Sequence, residues 1–113
     1  KHVLIPTEIA EVKTATDAYN VTIKALADAK GLAFVDTKAI MTQLSTTGVV
    51  SNSFTLTTTY VTGGAFSLDG VHPSPRGYGL IANAFITAIN TKYTATLKKV
   101  DLGLYPILYP ASL

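Results

Sequence analysis

Two residues near the middle of the chain are of the right types to carry out acid–base chemistry together. Asp69 and His72 stand three residues apart in the string Asp69-Gly70-Val71-His72-Pro73. A carboxylate that accepts a hydrogen bond from imidazole Nδ1 fixes the tautomer of the ring and stabilises the imidazolium formed during reaction. Gly70 allows a sharp bend and Pro73 restricts His72 to extended backbone angles, so the contact fits within one tight turn. We therefore interpret His72 as a candidate general base and Asp69 as its orienting acid.

The same string has two other interpretations. These residue types before a helix are also ordinary turn chemistry, and the chain has neither a Gly-x-Ser-x-Gly elbow nor a Gly-Asp-Ser string to supply a nucleophile. Ser67 is expected in a loop and Ser74 as a helix cap. A metal site at Asp69 and His72 ranks last, because two ligands are too few and no further His is near. No cofactor is therefore expected, and His2, at the terminus, is interpreted as a solvated bystander.

Two charged residues outside the string each have a functional and a structural interpretation. Arg76 falls in the first turn of a predicted helix, where a cation opposes the helix dipole. It either meets a carboxylate, such as Asp69 or one elsewhere in the full protein, or faces solvent at a small cost. Asp36 follows an apolar run, and sites of α/β proteins lie at the carboxyl ends of strands. Capping of the next helix is nevertheless the favoured role for Asp36.

The composition excludes several classes of protein. Of the 113 residues, 48% are hydrophobic and 14% are charged, which is typical of a core-forming chain and not of a disordered one. The net charge of +2 is not gathered into a basic patch with interleaved aromatics, so no nucleic-acid partner is expected. The absence of cysteine excludes disulfides and thiolate metal sites. No apolar run approaches the roughly 18 to 20 residues that a membrane helix needs.

The hydrophobic pattern predicts three helices separated by extended segments. We expect a first helix over about residues 8–30, with Thr7 as its N-cap and Gly31 ending it, followed by a buried, parallel strand over 32–35. A short helix over 38–44, capped by Asp36 or Thr37, then leads to a loop over 45–53 and an extended segment over 54–61 that ends at Gly63-Gly64. The last helix runs from Pro75 to about Tyr93 with Ser74 as its cap, and an extended tail over 94–113 is laid on a surface. In the last helix the apolar side chains are expected to face the core, and the polar ones to face away; the former are Tyr78, Ile81, Phe85, Ala88 and Ile89, the latter Asn83, Thr87 and Asn90.

These elements amount to one and a half units of an α/β fold. A parallel strand that is buried on both faces needs neighbouring strands, and the chain supplies at most one further candidate. We therefore expect residues 1–113 to form a single partial domain. Its sheet would belong to a larger α/β sheet or be completed by another chain.

The residues from Phe66 to Tyr78, which read FSLDGVHPSPRGY, resemble a block of a known enzyme family. They are similar to the last conserved block of the SGNH (GDSL-type) hydrolases, which carries the Asp-x-x-His of that family. The helix that follows, over 81–86, resembles the closing helix of that fold, and Tyr19-Asn20 with residues 27–36 resembles the segment before the block. The likeness is closest to exported GDSL-like lipases and acylhydrolases of Bacteroidetes-type bacteria. It covers nearly the whole chain and is weakest in the tail.

The resemblance implies the C-terminal part of a flavodoxin-like three-layer α/β/α fold, with its sheet incomplete in this chain, and hydrolysis of ester or acyl bonds. His72 would be the general base and Asp69 its orienting acid in a Ser-His-Asp triad. The Ser nucleophile and the oxyanion-hole Gly and Asn of the family's other blocks do not appear in the sequence. The implied partners are an ester or acylated substrate and either the missing N-terminal part of the domain or a second copy of the chain.

Two further expectations accompany that resemblance. By likeness to its family, the protein is expected to be exported to the periplasm, the outer membrane or the medium. The alternative to an esterase fragment is a non-catalytic interaction module or oligomer that retains this part of the fold, since the nucleophile is missing and the predicted strand has no partner.

Overall fold

The computed structural model describes residues 3–51 and 53–107. In this part of the chain it contains three α-helices, a two-stranded sheet and one 3₁₀ turn: α1 Pro6–Ala29, α2 Thr37–Ser45, β1 Val49–Ser51, β2 Phe54–Leu56, α3 Pro75–Tyr93 and η1 Leu102–Leu104. The protein is thus a mixed α and β chain, as predicted. It divides into two compact units, one over 1–34 and one over 35–113. That the whole forms one partial domain stays a prediction.

The first unit is built on α1, which begins and ends close to the predicted residues. It starts at Pro6 and not after Thr7, because Pro suits the first helical position and Glu8 accepts a hydrogen bond from the backbone N–H of Ile5 at 2.8 Å. At the other end Gly31 has a φ of +64°. The N–H groups of Gly31 and Leu32 bond back to the carbonyls of the last turn, the Schellman arrangement. The prediction that Gly31 ends the helix is confirmed.

The predicted strand over residues 32–35 is wrong for the described structure. These residues follow α1 as irregular backbone, and Leu32 is 50% exposed. A strand exists through its ladder with another strand. The sheet of the described residues contains β1 and β2 alone, so residues 32–35 have no such ladder there.

The sheet of the second unit lies partly where a loop was predicted. β1 and β2 pair antiparallel with Val49 opposite Leu56 and Ser51 opposite Phe54. The expected extended segment over 54–61 therefore forms a strand over its first three residues, and residue 57 adds an isolated bridge to Gly64. The prediction of a loop over 45–53 is wrong for residue 45, which ends α2, and for residues 49–51, which form β1, but it is confirmed for residues 46–48 and 53.

A small apolar core holds the second unit together. It joins α2, β2, the loop before α3, α3 itself and η1, through Leu44, Leu56, Ala65, Leu80 and Leu102. Leu102 is fully buried, so the tail is a member of the core and not only a strap on the surface. Residues 108–113, which were also predicted to be extended, lie outside the described residues.

The buried face of α3 differs from the prediction. Tyr78 and Phe85 are 54% and 49% exposed, whereas Asn83 is 8% exposed. The amide of Asn83 explains this, because it accepts from the N–H of Val100 at 2.8 Å and donates to the carbonyl of the same residue at 2.9 Å. A side chain that satisfies both backbone groups can be buried at little cost.

Asn90, two turns further along α3, makes the same pair of bonds. Its amide accepts from Leu97 N at 2.9 Å and donates to Leu97 O at 2.8 Å. The two asparagines therefore lie on the side of α3 that carries the tail, opposite to what the sequence predicts. Within the described ranges, no helix is both long and apolar enough to cross a membrane.

Candidate active site

The loop that carries Asp69 and His72 is a closed hairpin between β2 and α3. Ser67 N donates to His72 O at 2.8 Å, and Ser74 N donates to Ala65 O at 3.0 Å. Pro73 lies between these two bonds, opposite Phe66 in the non-hydrogen-bonded position of the ladder. A proline lacks an N–H, so this is the position at which it costs the ladder nothing. The backbone therefore fixes both ends of the loop before any side chain contributes.

Asp69 and His72 are in direct contact across this loop. The Nδ1 atom of His72 lies 2.6 Å from Oδ2 of Asp69. An ionised carboxylate can only accept, so Nδ1 carries the proton of that bond. In the neutral ring the lone pair is then on Nε2, which is the tautomer that a general base requires. The D-x-x-H geometry expected from the spacing is present.

The second oxygen of Asp69 is held by three donors. Oδ1 accepts from Ser67 Oγ at 2.6 Å, from Val71 N at 2.8 Å and from His72 N at 2.9 Å. These bonds, those from Ser67 and Val71 first and those from His72 after them, hold the pKa of the Asp69 carboxyl well below its ordinary value of 3.8. Asp69 therefore stays a carboxylate at any pH at which an esterase works, although its side chain is half exposed.

Ser67 is the residue of this site that the sequence interpretation missed. It was expected to be a plain loop residue, but its hydroxyl lies 2.6 Å from the Asp69 carboxylate, as close as His72 Nδ1. Ser67 stands two residues before Asp69, and this proximity in sequence was the one signal of the contact. Since its hydrogen goes to Asp69, Ser67 acts here as a donor to the acid.

Ser74 anchors the loop to the start of α3. Its Oγ accepts from Gly77 N at 3.0 Å, which confirms the predicted N-cap, and donates to Gly64 O at 2.6 Å. The residue is fully buried. One hydroxyl therefore fastens the helix that follows His72 to the strand-like segment that precedes Asp69.

Gly77 permits a close approach at the same point. A Cβ on this residue would overlap the carbonyl oxygen of Ala65, which is backbone and cannot move aside. The absence of a side chain is therefore what lets the first turn of α3 lie against the base of the hairpin.

Arg76 has partners in the structure that neither interpretation of the sequence included. Its Nε donates to the carbonyls of Leu102 at 3.1 Å and Tyr105 at 3.0 Å, and its guanidinium lies over the ring of Phe54 with 4.0 Å to the centroid. Arg76 thus ties the tail and β2 to the first turn of α3 by carbonyl and cation–π contacts. The sequence did not indicate these carbonyl acceptors.

The remaining candidates are settled by local contacts. Asp36 accepts from Ala39 N at 2.8 Å, which confirms its role as the cap of α2. His2 lies outside the described residues. Among residues 3–51 and 53–107 no three His, Cys, Asp or Glu side chains are grouped so as to hold a metal ion.

Comparison of the chain with protein-family models, curated proteins and solved structures finds no match. The site must therefore be interpreted from its own geometry.

Proposed function

We propose that this chain supplies the acid–base arm of a serine hydrolase of the SGNH type that acts on ester or acyl bonds. The observation that carries the proposal is the 2.6 Å contact between His72 Nδ1 and an Asp69 carboxylate that three further donors keep ionised. An ordinary turn needs a carboxylate that accepts from backbone N–H groups. It does not need the second oxygen to hold an imidazole in one tautomer.

Three features of the surroundings support the proposal. The imidazole is 71% exposed, so it is accessible to a reacting group. The loop is closed by backbone bonds and anchored through Ser74, which limits the motion of the base. The resemblance of residues 66–78 to the family block agrees with this arrangement residue by residue for Asp69 and His72.

In the proposed reaction His72 first accepts a proton from the serine and then donates it to the leaving group. Nε2 takes the proton of a serine hydroxyl as its oxygen bonds to the ester carbonyl carbon, and the imidazolium is stabilised by Asp69. The same proton then passes to the departing alkoxide as the carbon–oxygen bond of the ester breaks. Water repeats the sequence to release the acid and regenerate the serine. The serine and the oxyanion donors would come from other parts of the parent protein.

The same proposal includes the fold of the family and export of the parent protein. The parent protein would have a flavodoxin-like α/β/α domain whose sheet is built largely outside this chain, and it would be exported.

The test uses the complete open reading frame that contains this chain, assayed for p-nitrophenyl ester hydrolysis. We expect His72→Ala to abolish activity and Asp69→Asn to lower kcat by up to about 10⁴-fold, as loss of the correct tautomer does in a triad. His2→Ala, the chain's other histidine, is the matched control and should retain activity. Full activity in His72→Ala would refute the assignment of the base.

An inactive parent protein would direct attention to the non-catalytic alternative. That alternative predicts a stable oligomer in which a copy of the chain covers its apolar faces. Sedimentation of the isolated chain as a compact monomer would refute it.

A further inference from the structure

A strained turn lies in the segment between β2 and the Asp69 loop. Val61 has a φ of +70°, and Thr62 N donates to Tyr60 O at 2.8 Å, which closes a three-residue γ-turn about Val61. A positive φ is unfavourable for a β-branched residue, and this form of γ-turn is rare. Such strain persists where the surrounding contacts over-determine the backbone, and it is found more often near functional sites.

Backbone bonds on both sides hold this turn in place. Gly63 N donates to Thr59 O at 2.9 Å, and Thr57 N donates to Gly63 O at 2.8 Å. A Cβ at Gly63 would lie 2.5 Å from Thr57 O and 2.6 Å from Thr59 O. The backbone around Gly63 is therefore packed too closely to admit a side chain at that residue. These contacts restrain the backbone of the turn, which includes Tyr60.

Tyr60, the residue before Val61, contacts the loop that carries Asp69. Its hydroxyl donates to Leu68 O at 2.7 Å, while its side chain is otherwise largely exposed. The carbonyl of Leu68 belongs to the same planar peptide unit as the N–H of Asp69. A hydrogen bond to that oxygen therefore restrains the orientation of the peptide plane that ends at the Cα atom of Asp69.

We propose that Tyr60 is a positioning residue for the Asp69–His72 pair. It acts through the Leu68–Asp69 peptide and touches neither the imidazole nor a substrate. The strained turn at Val61 is what directs the phenol at Leu68. The catalytic meaning of this role rests on the proposed function, but the positioning itself is a property of this chain.

The experiment measures the His72 ring by NMR in the 113-residue chain, with Tyr60→Phe as the variant. Tyr60 is exposed, so the substitution removes the hydroxyl and leaves the core intact. We expect solvent exchange of the His72 Nδ1 proton to accelerate by about 3- to 10-fold, the range that loss of one hydrogen bond produces. The backbone amide of Asp69 should shift, while amides in the middle of α3 should not.

Tyr78→Phe is the matched control, because Tyr78 is exposed to a similar degree and lies on α3 outside the loop. It should leave both signals unchanged. Unchanged Nδ1 exchange and an unchanged Asp69 amide in Tyr60→Phe would overturn the proposal, and so would equal effects of the two variants.

The two proposals fail separately. The NMR result does not depend on ester hydrolysis, so an inactive parent protein leaves the role of Tyr60 standing. If the parent is active, Tyr60→Phe should lower kcat by the same modest factor with KM unchanged, whereas a merely structural role would lower the amount of folded enzyme and not kcat per folded molecule.

Discussion

Replacement of Ser74 by Ala tests whether one buried hydroxyl joins the fold to the site. The substitution removes the cap of α3, which costs about 1 kcal/mol. It also leaves the carbonyl of Gly64 without the donor that now lies 2.6 Å away, in a buried place where water does not replace it; this costs about 1 to 3 kcal/mol. The free energy of unfolding should therefore fall by about 2 to 4 kcal/mol.

Two matched variants separate these contributions. Asp36→Ala removes the cap of α2, whose single bond to Ala39 N is exposed, and should cost about 1 kcal/mol. Ser74→Gly keeps most of the capping preference but loses the bond to Gly64, so it should fall between the other two. Urea unfolding followed by far-ultraviolet circular dichroism measures all three, since the chain has no Trp and its described residues form three α-helices.

Ser74 should also affect the His72 ring. Because the same hydroxyl anchors the hairpin, Ser74→Ala should also speed exchange of the His72 Nδ1 proton, and Asp36→Ala should not. A loss of stability in Ser74→Ala no larger than that in Asp36→Ala would refute the argument. So would an unaltered His72 signal in a destabilised Ser74→Ala chain.

Three more predictions address close packing, burial and charge. Gly77→Ala should destabilise by about 1 to 3 kcal/mol because the new methyl group meets backbone, whereas Gly79→Ala meets the movable end of a Leu side chain and should cost clearly less; equal urea midpoints would contradict this. Asn83→Ala should cost more than Asn90→Ala, although both lose two equivalent hydrogen bonds, because Asn83 is 8% exposed and water can replace the bonds of Asn90 more easily; thermal unfolding compares them, and the reverse order would be a refutation. The lowered pKa of Asp69 means that its hydrogen bonds stabilise the folded chain fully above an ordinary Asp pKa of about 3.9 and lose that effect as the pH falls through the lower folded value; a carboxyl-carbon NMR titration should show Asp69 still ionised at a pH where exposed carboxyls are half protonated, and titration together with them would disprove it.

Local patterns predicted the helices and the roles of Gly31, Asp36 and Ser74 well, but not the N-cap of α1, which is Ile5 and not Thr7. Gly31, Asp36 and Ser74 each act through bonds to backbone groups at most four residues away, and their types state that role directly. The Asp69–His72 contact belongs to the same class, because three residues and a turn suffice to form it. Its assignment to an enzyme remains a prediction, since no comparison tests it.

Contacts between segments distant in sequence were predicted poorly. Asn83 was assigned to solvent because a polar side chain on a helix is usually exposed, and the Val100 backbone that buries it is 17 residues away. For Arg76 a carboxylate partner and a solvent-facing position were both considered, but not the carbonyls of a tail 26 and 29 residues further on, to which it donates. The spacing of residues along the chain does not indicate a backbone partner that is so far away in sequence.

The sequence alone was enough to predict the contact between Asp69 and His72, because every group that forms it lies between Ser67 and Pro73 and is joined by short-range turn geometry. The tertiary structure decided what holds that pair in place. Ser74 reaches back to Gly64, Tyr60 reaches forward to Leu68, and the tail packs Leu102 into the core beside α3. The physical reason is that hydrogen bonds within a turn follow from residue types and spacing, whereas those between segments exist only once burial of the apolar core has brought the segments together.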